Sequence, residues 1–223
     1  MTMPLSSPLD AALAVIALWI VVGVTGLFET GRARFINKAL FPAGAVLGFV
    51  LAGIGAYSIG GSALTRVLPL GLPDLPFHLR LDPLSSFFLF LLGVGAFGIS
   101  VYACGYFRDE TLPRLRLLCL QYHVFLASMA AVILADDAYL FMVVWETMAL
   151  SSYFLVTTDH KLPAIRSAGY LYLLIAQSDF DRTTRLLAAS GAAVAPRRRP
   201  LRGSASFRPA ARDAGAQLSK EPS

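Results

Sequence analysis

The chain has 223 residues, of which 56% are hydrophobic and 15% are charged, and its mean hydropathy is +0.63. This composition is typical of proteins with several membrane spans and argues against an ordinary soluble domain. The formal net charge is +5, yet residues 1–177 hold ten basic and ten acidic side chains, whereas residues 178–223 hold nine and four. The basic excess therefore belongs to the C-terminal segment and does not indicate a nucleic-acid-binding domain.

Apolar runs long enough to cross a bilayer occur at five positions, and a sixth run begins before residue 177. The predicted complete spans are 11–28, 39–61, 84–104, 117–135 and 138–158, and the partial sixth is 168–177. The first run lacks a preceding cationic region and a following cleavage site, so it is predicted to be a retained helix rather than a signal peptide. The predicted fold class is all-α, a polytopic transmembrane helix bundle occupying residues 1–177.

Basic residues in the connecting loops predict the orientation of the bundle. The loops 29–38, 105–116 and 159–167 together hold eight Lys or Arg residues, whereas the loops on the other side hold two. Cytoplasmic loops carry the larger number of Lys and Arg residues. The N-terminus is therefore predicted to lie outside.

The segment 62–82 between the second and third spans is rich in Pro and Leu. Alternation of apolar and polar residues from Phe77 to Leu81 predicts a short strand or hairpin arm at the membrane interface. Asp82 followed by Pro83 is typical of a helix start, with an N-cap acceptor and proline at the first helical position.

Glycines recur in two of the predicted spans. Residues 93–98 match the letters of the dinucleotide-binding pattern GxGxxG, but no strand precedes them, so we interpret their glycines as sites of close helix contact. Gly44 and Gly48 form a GxxxG pattern that is interpreted in the same way.

Glu146 is a carboxylate inside the predicted span 138–158. It lies about 13 Å beyond Asp137 along a helix, close to the centre of a hydrocarbon layer about 30 Å thick. A charge at that depth costs about 3 kcal/mol on insertion scales, and such residues usually face a cavity, a partner or an ion pathway. Glu146 is therefore the leading candidate for a proton carrier, and the alternative is a protonated acid that hydrogen-bonds a neighbouring helix.

His123 is a second candidate, because a histidine can exchange protons near neutral pH and this one lies six residues into the fourth span. The simpler interpretation is a neutral ring bonded to a helix carbonyl. Asp136 and Asp137 are interpreted first as turn residues, with surface proton collection as the alternative. Cys104 and Cys119 have neither CxxC nor His spacing and predict no zinc site or cluster, so no metal and no cofactor is expected in this chain.

The C-terminal segment 178–223 has a different composition from the rest of the chain. It contains ten Ala, eight Arg and four Pro residues, and it cannot bury a core or cross a bilayer. It is predicted to be a disordered tail or an out-of-frame translation of a longer gene. Binding of acidic lipid or nucleic acid by the arginines at 197–199 is the alternative.

Several stretches resemble the antiporter-like membrane subunits shared by respiratory complex I, multisubunit cation/proton antiporters and membrane-bound hydrogenases. They are FHLRLDPLSSFF at 77–88, SVYACGYF at 100–107, ADD at 135–137 and WETMALSSYFL at 145–155. The stretch FLVTTDHKLPAIRSAGY at 154–170 is most similar to hydrogenase-4 component B and the formate hydrogenlyase membrane subunit. The resemblance as a whole covers roughly residues 10–177.

The resemblance implies a proton-translocating module of the bacterial inner membrane, with the N-terminal part of the antiporter-like fold and with Glu146 as the key acid. It implies membrane and hydrophilic partner subunits of a hydrogenase or complex-I-like assembly, which would hold the redox groups. The lipid bilayer is the other expected partner. No nucleic acid is expected to bind this chain. In the family the acid pairs with a lysine in the seventh helix. Residues 10–177, which carry the resemblance, contain no seventh helix. A cation/proton antiporter subunit and a nonfunctional membrane-anchor fragment are the alternatives.

Overall fold

The computed structural model describes residues 7–29, 33–72, 75–108, 110–159 and 163–189. Five of its helices are long and apolar enough to cross a membrane. They are α1 (Pro8–Phe28), α2 (Ala33–Ser58), α3 (Pro83–Tyr106), α4 (Leu112–Leu134) and α5 (Ala138–Val156). A two-stranded hairpin joins α2 to α3, and a sixth helix, α6 (Pro163–Ala189), follows α5. The protein is a multi-pass, all-α membrane protein, as predicted.

The observed helices differ from the predicted spans at their ends. α2 begins at Ala33 and includes a π-helical turn, Ile36–Leu40, before its regular part. α4 begins at Leu112. Polar and charged residues lie in these added turns, which is why an apolar-run criterion starts the spans later. α6 continues to Ala189, so residues 178–189 of the predicted tail are helical, and residues 190–223 lie outside the described part of the chain.

Within the described residues, α2 and α3 share the most extensive helix interface, and it depends on small residues. A Cβ atom at Gly48 would lie 2.8 Å from the backbone nitrogen of Phe97, and one at Gly93 would lie 2.6 Å from the carbonyl oxygen of Gly48. The close contact predicted for these two glycines is confirmed. At Gly95 and Gly98 an added Cβ atom would meet no other atom within 4 Å, so the prediction is wrong for them.

The bundle core lies between α1, α2, α3 and α4 and extends to the hairpin. Its largest fully buried side chain is Trp19 of α1, whose Nε1 donates a hydrogen bond to the carbonyl oxygen of Gly44 on α2 at 3.4 Å. Leu51 of α2 and Leu89 of α3 are equally inaccessible. α5 packs on α4, and α6 packs on α5, so Glu146 lies at the side of the bundle and not in this core.

The hairpin consists of β1 (Leu64–Leu72) and β2 (Leu75–Leu81), which pair in antiparallel fashion. The predicted arm at 77–81 is confirmed, and its partner strand was not predicted. β2 also pairs with the turn between α4 and α5, where Leu79 forms a bridge to Ala135 and the amide of Asp136 donates to the carbonyl oxygen of His78 at 2.9 Å. The hairpin thereby closes one end of the bundle.

Asp82 caps α3 as the sequence predicts, since its Oδ1 accepts a hydrogen bond from the amide of Ser85 at 2.8 Å. This backbone hydrogen bond, aided by the nearby Arg80, holds the pKa of the Asp82 carboxyl below its ordinary value. A depressed folded-state pKa contributes stability that is present above the unfolded value, about 3.9, and is lost as the pH falls through the folded value.

We therefore expect acid to loosen the first turn of α3. Below about pH 4, protection of the Ser85 amide against hydrogen exchange should fall in the native chain. It should stay constant in Asp82→Asn, which keeps an acceptor oxygen but does not titrate. Equal pH dependence of the Ser85 amide in the two proteins would contradict this role for the carboxyl.

Candidate functional site

Glu146 lies near the middle of α5, nine residues beyond the Asp137 cap that starts the helix. Asp137 fixes that start because its Oδ1 accepts a hydrogen bond from the amide of Leu140 at 2.7 Å. The side chain of Glu146 is partly buried, and the neighbouring Trp145 packs on Phe141 with ring centroids 5.5 Å apart. A short polar turn, followed by an uninterrupted helix, thus sets the depth of the carboxyl group.

The polar partner of Glu146 comes from α6. Nε2 of Gln177 donates a hydrogen bond to Oε1 of Glu146 at 2.7 Å. One and a half turns earlier on α6, the hydroxyl of Tyr172 donates to Oγ of Ser152 at 3.1 Å. Among the residues that the structure describes, Gln177 is the one side chain with a hydrogen bond to Glu146, and no basic side chain forms an ion pair with it.

A cavity of about 250 Å³ lies beside Glu146, between α5 and α6. Aromatic and aliphatic side chains form most of its wall, and Phe125 of α4 closes its inner side. Polar groups reach it from Glu146, Ser152 and Tyr172. A cavity of this size has room for several water molecules, and buried waters are held by polar groups such as these. The arrangement can hold a proton on the carboxyl group and exchange it with water.

His123 is fully buried in α4 and faces away from this cavity. A Cβ atom at Gly44 of α2 would lie 2.6 Å from its Nε2, and one at Gly23 of α1 would lie 3.1 Å from its Cβ. Phe125, which lines the cavity, is two residues further along the same helix and so about 200° away around the axis. The structure does not bring His123 and Glu146 together.

The ring of His123 is hydrogen-bonded to a helix carbonyl, as the simpler interpretation of this residue predicts. Its Nδ1 lies 2.8 Å from the carbonyl oxygen of Cys119, one turn earlier, and since a carbonyl only accepts, Nδ1 is the donor. Within the described residues Nε2 has no hydrogen-bond partner. A proton relay through His123 stays a prediction, and this geometry gives it no route to Glu146.

Asp136 and Asp137 form the turn between α4 and α5, as predicted, and Asp137 has the larger structural role. Besides capping α5, its Oδ2 accepts a hydrogen bond from the amide of His78 at 2.8 Å. Of the cysteines, Cys119 is buried and Cys104 donates to the carbonyl oxygen of Ser100 at 3.1 Å. Over the described residues, no group of three His, Cys, Asp or Glu side chains is arranged to hold a metal ion.

Gln177 and Tyr172 are the site residues that sequence reasoning missed. Gln177 stands at the point where the apolar run of the sixth span stops. A polar residue is ordinary at the predicted end of a span, so the sequence alone contains no signal that Gln177, which lies near the middle of α6, reaches Glu146. The contact depends on how α6 packs on α5.

The chain is similar to parts of several curated proteins. It is 36% identical over 135 residues to an uncharacterized protein of Mycobacterium tuberculosis, a match that covers 60% of this chain and 21% of the relative. It is 34% identical over 100 residues to hydrogenase-4 component B of Escherichia coli, covering 45% and 15%. It is 34% identical over 103 residues to NADH-quinone oxidoreductase subunit L of M. tuberculosis, covering 46% and 16%.

Putative antiporter subunits of two staphylococci are also similar, at 33% and 34% identity. No protein-family model matches the chain. The matched part of this chain spans about a fifth or less of the length of these relatives. These relatives carry hydrogenase, NADH-quinone oxidoreductase and antiporter names, so they support a relation to the antiporter-like superfamily without distinguishing among the three. The five apolar helices are those of a membrane protein.

Proposed function

We propose that the chain is a proton-translocating membrane subunit of a membrane-bound hydrogenase or a complex-I-like NADH:quinone oxidoreductase, with Glu146 as the proton carrier. Electron transfer and its cofactors belong to partner subunits in this proposal. The assembly lies in a bacterial inner membrane, with the N-terminus of this chain outside. Each of these points rests on the resemblance, the basic-residue distribution and the named relatives taken together.

The observation that carries the proposal is the environment of Glu146. The carboxyl is held by an uncharged amide, Gln177, and it lines a cavity of about 250 Å³ between two helices. An acid that served only to tie α5 to α6 would need the hydrogen bond and not the cavity. An intramembrane acid beside a space for water has the arrangement expected of a proton pathway.

Glu146→Gln tests the proposal in membrane vesicles that contain the assembled complex. Glutamine keeps an oxygen that can accept from Gln177, so packing should be retained while the exchangeable proton is lost. We expect proton movement per electron transferred to fall at least about tenfold, since a positioned proton-transfer group typically contributes about 100-fold or more. Asp136→Asn, which removes an exposed acid from the turn, should leave that ratio unchanged.

The outcome also separates the alternative functions. Unchanged proton movement in a fully assembled Glu146→Gln complex would overturn the carrier role and favour a membrane anchor. A cation/proton antiporter subunit is the second candidate, because relatives with that printed name share this part of the sequence. Proton movement that disappears when sodium is replaced by an impermeant cation would favour it over the first.

A further inference from the structure

A second cavity, of about 210 Å³, lies near the end of α3 and shares no lining residue with the cavity beside Glu146. Side chains of α3, α4 and α5 line it, together with Phe41 of α2. The surface of the cavity is entirely apolar. Aromatic and leucine side chains form most of its wall: Phe41, Tyr102, Tyr106, Phe107, Leu118 and Leu155. The proposed proton pathway does not use it, because its surface offers no polar atom to water or to a proton.

The extent of the cavity wall along α3 suits part of a linear hydrocarbon chain. It follows α3 from Phe107, just beyond the end of the helix, to Ile99, a distance of about 12 Å along the axis. With α3 crossing a bilayer, this wall would extend from the membrane surface into the hydrocarbon layer, along the direction of the lipid chains. Tyr102 and Tyr106 stack on each other at 5.2 Å and are more than half exposed, as aromatic side chains at a membrane interface commonly are.

The charge at this end of the bundle specifies the occupant further. Arg108 follows Phe107 directly and is exposed, and within the described residues it forms no ion pair. The loops at this end, residues 29–38 and 105–116, hold six basic and three acidic side chains. Basic side chains next to a membrane span attract anionic headgroups.

We propose that this cavity binds one acyl chain of an anionic phospholipid, whose phosphate is held by Arg108. The apolar wall accepts the hydrocarbon, and the arginine selects the headgroup. The site is separate from Glu146 and does not depend on the proposed proton transport. Its occupancy would fix the ends of α3 and α5 relative to each other, since both helices line the cavity.

A photolabelling experiment on the full chain in mixed micelles tests this proposal. Phosphatidylglycerol and phosphatidylcholine, each with a diazirine in the acyl chain, serve as probes, and labelled peptides are mapped by mass spectrometry. We expect phosphatidylglycerol to label residues 99–107 and 118–122 about fivefold more than phosphatidylcholine does. Arg108→Gln should remove that preference, whereas Arg34→Gln, an exposed basic residue at the same end, should keep it.

Ala103→Phe provides an independent test, because Ala103 lines the cavity and a phenyl ring there would fill it. Labelling by both lipids should then be lost in a variant that still folds. If Ala103→Phe fails to fold, the Arg108→Gln comparison still decides. Equal labelling by the two lipids, or labelling unaffected by Arg108→Gln, would overturn the proposal. Cross-linking of these residues to another polypeptide in place of lipid would overturn it as well.

Discussion

Replacing Gly93 by alanine should destabilise the bundle by about 1–3 kcal/mol, the usual cost of adding a group to a tightly packed site. The new Cβ would meet the backbone nitrogen of Ala52 and lie 2.6 Å from the carbonyl oxygen of Gly48. Both contacts are with backbone atoms of α2, so no side-chain rotation can relieve them. The two helices would have to move apart along their whole interface.

Gly95→Ala is the matched control for this prediction. It makes the same chemical change two residues later on the same helix, where no atom lies within 4 Å of the new methyl group. Alanine is also the better helix former by about 1 kcal/mol, so Gly95→Ala should be neutral or slightly stabilising. The midpoint of unfolding in a sodium dodecyl sulfate titration of mixed micelles measures the difference. Coincident midpoints for the two variants would show that α2 and α3 do not pack through Gly93.

The contrast between Gly93 and Gly95 illustrates what the sequence could and could not predict. The spans themselves were predictable, because a backbone in lipid must satisfy its hydrogen bonds internally and a helix does so within one apolar segment. Which glycine faces a neighbour depends on the rotation of α3 about its axis. That rotation is set by tertiary packing, and all glycines in the 93–98 pattern look alike in the sequence.

The hairpin and α6 show two further limits. β1 contains Pro69, and proline within an apolar run argues against a strand, yet the pairing accommodates it through a register shift between Leu68 and Gly71. α6 extends past the last apolar run because Leu, Ala and Arg favour helix even without a buried face. An apolar-run criterion therefore finds neither β1 nor the C-terminal part of α6.

Of the candidate site, the sequence predicts the acid but not the groups around it. Glu146 is conspicuous because a carboxylate inside an apolar span is rare. Its hydrogen-bond partner, Gln177, and the cavity beside it come from the packing of α6 on α5, and no spacing in either helix encodes that contact. His123 is the converse case, since a histidine in a span suggests a relay whereas its ring faces α1 and α2.

Removal of the Asp137 carboxylate should have the second large effect on stability. Asp137 performs two tasks with its two oxygens: Oδ1 caps α5 through Leu140, and Oδ2 accepts from the amide of His78 in the hairpin. Loss of an N-cap costs about 1 kcal/mol, and leaving a partly buried amide without a partner costs about 1–3 kcal/mol. Asp137→Ala should therefore lower the free energy of unfolding by about 2–4 kcal/mol.

Asp137→Asn distinguishes the two tasks of the carboxylate. Asparagine has one acceptor oxygen in place of two, so it can serve Leu140 or His78 but not both, and its stability should lie between those of the native chain and Asp137→Ala. Asp136→Ala, which removes only a 3.9 Å contact with Arg80, should change little. Hydrogen exchange of the Leu140 and His78 amides identifies which bond asparagine keeps. If both amides stayed protected in Asp137→Ala, the hairpin would be held to the bundle by its bridge between Leu79 and Ala135 and not by this carboxylate.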